Sequence, residues 1–391
     1  MVNIDDHLNL NRILLIAIGL WPYQKSKLAR LQSIYCYSML ITIIVFQLTT
    51  FVTSKCTIDL VIQVFSATSA VTGATIMYNW FYINSETIKY STEQLQRICN
   101  DLKDKNEIAI IERYGSHVKR FTVVTISAFV CVSSFVMGYQ LWPIFHDILL
   151  STKVSRPRSL MLKTEYFVDQ EKYFYLPLLH INISFFIAFF TSVAVGTTII
   201  AYYLYVSAMF HIASYRIEHA MQICTVQSII LLNEKMIYKR IVCAVDIHRK
   251  AMMFSDRLIS RFQLTSMILI IFGVMDLSLN FYRTLETISL GCKDFLVPFL
   301  IASISLIYLF LANFVAQQII DDNNHIFATA YNIRWYLAPI HVQKLILFLL
   351  QRGNKIYGLN IGGLFLGSLQ CFATLSNASV SYCSVLYSIG L

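Results

Sequence analysis

Apolar residues run in seven long blocks, at approximately 33–53, 60–83, 121–143, 176–206, 262–283, 296–320 and 361–389. Each can cross about 30 Å of hydrocarbon, which takes roughly 20 helical residues. Backbone polar groups in lipid need internal partners, so the blocks are predicted to be helices. The polar connections are unequal, and the long ones follow the second block (84–120), the fourth (207–261) and the sixth (321–360). Within 207–261, Ile223, Val226, Ile230, Ile237, Ile241 and Val245 recur at helical spacing with few Pro or Gly. Helices four and five, as well as six and seven, are therefore expected to continue into a cytoplasmic helical layer. The run from Val342 to Leu350 is strongly apolar but too short to span, and reads as a buried helix packing on neighbours or partner subunits.

Composition supports the membrane reading. The chain is 57% hydrophobic and 14% charged, with mean hydropathy +0.60, whereas soluble domains run near 25% charged. The net charge of +9 does not indicate nucleic acid, because the basic residues sit in blocks between apolar runs. With the N-terminus placed in the cytoplasm, the inside segments (1–32, 84–120, 207–261, 321–360) hold 23 of the 31 Lys and Arg, and the outside ones hold 8. Positive residues favour the cytoplasm, so the C-terminus is expected outside. Residues 1–30 lack a signal-peptide core, and the first block is expected to act as its own insertion signal.

That orientation separates seven-helix classes. A G-protein-coupled receptor has its N-terminus outside and an acidic-Arg-aromatic motif ending helix three. Here the third block ends outside at Tyr139-Gln140-Leu141-Trp142-Pro143, and no NPxxY follows in the seventh. The pair Asp256-Arg257 precedes the fifth block and reads as a solvated loop charge. A transporter would show inverted repeats with interrupted helices, and none is visible. No catalytic motif, P-loop or HExxH occurs, so neither an enzyme nor a cofactor is indicated. Nine cysteines include no CxxC; Cys56 and Cys292 fall outside the cell as two free thiols or one disulfide. Sequons at Asn182 and Asn377 lie within helices and should be unused.

Two regions carry candidate function. The last 36 residues hold no charge, yet Gln370, Thr374, Asn377, Ser381, Ser384 and Ser388 recur at spacings of four, three, four, three and four. They share one helical face, and such a stripe needs a polar partner helix or water. It reads either as an interface within one subunit or as the wall of an aqueous pore built from several copies. Val385 and Ile389 interrupt it near the outer end, where an apolar ring could gate by dewetting. The outer halves of helices two to six contribute Phe65, Thr68, Ser134, Met137, Tyr139, Trp142, His180, Phe186, Phe189, Phe281 and Tyr308. Aromatic walls with a few hydroxyls suit a small, volatile, weakly polar ligand, although such residues also serve as packing or interfacial anchors. Asp276 is an acid inside a spanning block, a functional candidate close enough to the outer interface to reach water.

An ordered set of short motifs then points to a family. Gly19-Leu20-Trp21-Pro22, Ala330-Tyr331 with Trp335-Tyr336, Gln343-Lys344-Leu345, Ser368-Leu369 and Ser381-Tyr382 together resemble the insect odorant receptors, in the style of ants, bees and wasps. The chain departs from the family pattern at Ala316-Gln317, where Gly-Glu is common, and at Gln370, where an acid is common. Sister gustatory receptors carry a Gln-Phe that is missing after Ser381-Tyr382. The resemblance implies a ligand-specific subunit of an odour-gated cation channel, joined with the olfactory co-receptor in a heterotetramer. The expected setting is the multi-pass membrane of olfactory-neuron dendrites, with membrane lipid and a small volatile odorant as further partners. It implies a cytoplasmic segment 1–32, helices one to six with an outer odorant pocket over 33–320, an anchor at 321–360 and a pore helix at 361–391. The family's gate positions carry over to Val385 and Ile389.

Overall fold

The computed structural model describes residues 4–149, 162–169, 172–222, 230–290 and 295–390. The helices are α1 Ile4–Ala17, α2 Lys27–Leu48, α3 Thr50–Thr53, α4 Ile58–Ile83, α5 Ser85–Asn100, α6 Lys105–Leu149, α7 Tyr175–Gln222, α8 Ile230–Ser289, α9 Leu296–Asn332, α10 Ile340–Gly353 and α11 Leu369–Gly390. The chain is an all-α polytopic membrane protein. Among the described residues, six stretches are long and apolar enough to cross a membrane: Lys27–Thr53, Ile58–Ile83, Lys105–Trp142, Tyr175–Met221, Glu234–Ser289 and Leu296–Asn332. The seventh predicted span, α11, has 22 residues and no acidic or basic side chain. Its Gln, Asn, Thr and Ser residues keep it below the apolarity of the other six.

The core centres on α7, which packs against α1, α2, α4, α6, α8 and α9. Its buried alanines, including Ala188, Ala194, Ala201, Ala208 and Ala213, let neighbouring backbones approach closely. The N-terminal helix is part of this core. It buries Ile4, Leu8, Leu14 and Leu15, and Asn11 Nδ2 donates to Thr197 Oγ1 at 3.0 Å while Asn11 Oδ1 accepts from Thr122 Oγ1 at 3.3 Å. Gly19 of the first motif turns the chain with φ +71°, and a Cβ there would lie 2.5 Å from Ser33 Oγ. Ser33 Oγ donates to the Gly19 carbonyl at 2.7 Å, and Tyr78 Oη to the Ile18 carbonyl at 2.9 Å. The motif thus docks α1 onto α2 and α4.

As expected, α7, α8 and α9 extend well beyond their apolar blocks, whereas the seventh helix does not, since α11 starts only at Leu369. Arg216 on α7 donates Nε and Nη2 to Glu107 on α6 at 2.6 and 2.8 Å, bracing the extension. Helix α10 buries Val342, Ile346 and Leu349 but exposes Ile340, Leu347 and Phe348, so only one of its apolar faces is covered within the chain. Two expectations need correction. Residues 361–368 do not begin the last helix: Asn360–Ile361 pairs antiparallel with Phe365–Leu366 across Gly362-Gly363, whose φ values are +66° and +74°. Asp256-Arg257 is not a loop pair, because it sits within α8, where Arg257 lies 4.5 Å over the Tyr90 ring and donates to Gln94 Oε1 at 2.6 Å. Cys56 is an exposed free thiol, and Cys292 lies outside the described residues.

Candidate pore face and ligand site

Helix α11 starts where Ser368 caps it, its Oγ accepting from the Cys371 amide at 3.1 Å. Two α9 side chains take the preceding amides: Ser368 N–H donates to Asn313 Oδ1 at 3.2 Å and Leu369 N–H to Gln317 Oε1 at 3.4 Å. Gln317 is one of the departures from the family pattern, so the change of an acid to an amide falls at the positive end of this helix. Gly367 sits so close to α9 that a Cβ would meet Ala316 Cβ at 2.8 Å. The helix is therefore fixed firmly at its N-terminal end.

Along α11, Cys371, Leu375, Ser379 and Cys383 are buried, on the side that packs against α8 and α9. The polar stripe lies on the roughly opposite face, and Gln370, Thr374, Asn377, Ser381, Ser384 and Ser388 are all exposed. Thr374 and Ser384 donate only to the carbonyls of Gln370 and Val380, each at 3.0 Å, and Ser388 to that of Val385 at 2.8 Å. Among the described residues, no side-chain hydrogen bond from the stripe reaches another helix. Val385 and Ile389 are 53% and 65% exposed.

The residues expected around an outer pocket fall into separate groups. Phe186 and Phe189 on α7 each lie 5.1 Å from the Phe129 ring on α6. Tyr308 on α9 packs against Gly196 of α7, where a Cβ would sit 3.1 Å from its hydroxyl, and donates to Met77 Sδ at 3.5 Å. Thr68 is buried on α4 and donates to Gln47 Oε1 at 3.0 Å. His180 is held at both nitrogens, Nδ1 lying 2.8 Å from Tyr166 Oη and Nε2 3.0 Å from Thr42 Oγ1. Phe281 packs beside Ile62, Tyr282 and Cys383 beneath α11. Phe65 is exposed, its ring 6.0 Å from Phe51. On α6, Ser134, Met137 and Trp142 are exposed and Tyr139 half-buried.

Asp276 does not reach water. It is 3% exposed, and its carboxylate accepts from Ser69 Oγ at 2.7 Å, Asn280 Nδ2 at 3.2 Å and Ser305 Oγ at 2.5 Å. On the same face of α8, Arg283 Nη1 donates to Ser66 Oγ at 2.8 Å. The cluster joins α4, α8 and α9. Sequence reasoning found the acid but not its partners; Asn280 and Arg283, four and seven residues on, were the signal for a polar face.

The family model described as 7tm Odorant receptor matches residues 57–380. The chain belongs to the odorant receptor family. Its fold is similar to that of the olfactory receptor OR5 from the insect Machilis hrabei, solved in complex with eugenol, at TM-score 0.75 and 15% identity over 98% of this chain and 100% of that one. A second structure of the same receptor gives TM-score 0.74, with the same identity and coverage. No curated protein sequence matches the chain. As an odorant receptor it is a multi-pass membrane protein of a receptor family and not of an enzyme family.

Proposed function

We propose that this odorant receptor is the ligand-specific subunit of an odour-gated, non-selective cation channel, with α11 lining the pore. The observation that carries the reading is the exposed, uncharged polar face of α11, set against a buried face on α8 and α9. A polar stripe without partners in its own subunit is costly in lipid. Several copies of the helix around a shared axis give it water. Gln370, Thr374, Asn377, Ser381 and Ser384 then form the wall, and Val385 and Ile389 the apolar neck. The exposed Leu347 and Phe348 of α10, with Tyr336 and Leu337, offer a cytoplasmic anchor face for the same assembly, with the olfactory co-receptor supplying the other subunits of a heterotetramer.

In this reading the N-terminus is cytoplasmic, the C-terminus is extracellular, and the protein acts in the dendritic membrane of olfactory neurons. The odorant binds among the outer halves of helices α4 and α6–α9. Phe186, Phe189 and Tyr308 supply apolar walls there, with Thr68, His180, Phe65, Ser134, Met137, Tyr139 and Trp142 nearby on the same helices. Eugenol, with which the Machilis hrabei receptor was solved, is a small volatile of the class proposed. Co-expression with the co-receptor should yield an odour-evoked cation current that neither chain of the pair gives alone at the same odorant. Current that needs no co-receptor and vanishes on G-protein block would overturn the proposal.

A further inference from the structure

A cavity of about 420 Å³ opens among the extended ends of α6, α7 and α9, and none of its lining residues belongs to the stripe or to the candidate odorant residues. That size falls within the roughly 300–1,000 Å³ usual for small-molecule sites. Its walls include Arg113, His117, His211, His325, Glu218 and Gln318. Most acids around it are already occupied. Asp322 Oδ1 lies 3.0 Å from His211 Nε2, Glu107 takes Arg216, and Asp104 accepts from Tyr215 Oη at 3.3 Å. The side chains of Arg113 and His117, by contrast, make no hydrogen bond or ion pair among the described residues, and Lys119 and Arg120 follow within one turn, exposed.

The depth of the cavity is informative. His117, His211 and Gln318 lie within about a turn and a half of the inner ends of the apolar blocks, at the level of the cytoplasmic headgroups if the chain is oriented as proposed above. Basic pockets between spanning helices on that side suit anionic headgroups. We propose that this groove binds a phosphorylated polyol, the headgroup of an inner-leaflet phosphoinositide. Its phosphates meet Arg113 and His117, and Glu218 and Gln318 accept hydrogen bonds from its hydroxyls. This ligand would then bias the packing of α6, α7 and α9 independently of the odorant.

The test uses the purified full chain in detergent, where sidedness plays no part. Dioctanoyl phosphatidylinositol bisphosphate, free inositol trisphosphate and dioctanoyl phosphatidylserine are titrated in parallel. The bisphosphate lipid should bind, and the double change Arg113→Gln with His117→Asn should weaken it about fivefold or more. His117→Arg should keep or raise affinity, which separates lost charge from a folding defect. Replacing the exposed Arg249 and Lys250 by Gln should leave binding unchanged. Equal binding of phosphatidylserine, or an equal loss in the Arg249 and Lys250 variant, would overturn the site. Free inositol trisphosphate binding as tightly as the lipid would reassign the groove to a soluble phosphate. Applying the short-chain lipid to inside-out and outside-out patches tests the orientation separately: a response only from the outer face would contradict the topology and leave the detergent result standing.

Discussion

Replacing Asp276 by Ala probes the polar cluster that joins α4, α8 and α9. The carboxylate accepts three hydrogen bonds in a site only 3% exposed, and a stranded buried donor costs about 1–3 kcal/mol. Not all three would be stranded. Ser69 Oγ already lies 3.2 Å from the Ser66 carbonyl, and Asn280 Nδ2 lies 2.9 Å from the backbone carbonyl of residue 276. Ser305 is the donor left to find a new acceptor, so the expected loss is about 1–3 kcal/mol, with a small cavity added. Asp276→Asn keeps the volume and one acceptor oxygen while removing the buried charge, and should cost about 1 kcal/mol less than Ala. Thermal unfolding of the purified variants in one detergent measures both. Because Ser305 and Asp276 act as a pair, Ser305→Ala should cost much less in the Asp276→Ala background than alone. Additive losses, or an Asn variant as damaged as the Ala variant, would refute the hydrogen-bonding account.

Other outcomes follow from the same geometry. Gly19→Ala should destabilise by about 1–2 kcal/mol, since φ is +71° and the new Cβ would clash with Ser33; unchanged unfolding temperature would contradict it. On the extension of α8 that precedes its apolar block, burial holds the His248 imidazole, 4% exposed and bonded to Asn323 Oδ1 at 3.0 Å, below the usual histidine range. Its neutral form is the native one, so stability should fall as pH drops below the unfolded value of about 6.5, and His248→Gln should flatten that acid limb in unfolding measured against pH. Val385→Ser should hydrate the proposed neck and raise basal current per surface receptor, while Ser384→Ala, about 100° away round the helix, should do much less. Unchanged leak in both would make the outer end of α11 a scaffold.

Much of this architecture is legible in the chain because lipid imposes one constraint over roughly 20 residues at a time. The spans at 60–83 and 296–320 differ little from α4 and the apolar part of α9, and the helical spacing in 207–261 foretold the long extensions of α7 and α8. The α11 stripe was equally plain, since its spacing of three and four places it on one face without knowledge of neighbours. What it faces was open in the sequence; only packing shows that Cys371, Leu375, Ser379 and Cys383 take the inner side. The hairpin before α11 was missed because Gly362, Gly363 and Gly367 lie in the apolar run 361–389, whose length reads as one spanning helix. The positive φ values of the first two and the antiparallel pairing depend on a turn that the adjacent leucines mask. Asp276 stood out as a charge, whereas Ser69 and Ser305 are ordinary residues from helices distant in sequence. The outer pocket was least legible. Ser134, Met137 and Trp142 looked equivalent to Phe186 and Tyr308 along the chain, and all five are exposed; the difference is that Phe186 lies against the Phe129 ring and Tyr308 against Gly196.

The most direct test of a pore built on α11 is thiol accessibility during gating. The Ser381→Cys variant, co-expressed with the co-receptor, is exposed to a small charged methanethiosulfonate from outside while an odorant opens the channel. The parent chain, with its exposed Cys56, Cys131 and Cys243, serves as the control. The account predicts that the odour-evoked current of the Ser381→Cys variant is irreversibly reduced, faster with odorant than without, while the parent is unaffected. Modification of the introduced thiol without any change in current, or equally fast in closed and open channels, would contradict a pore lined by this helix.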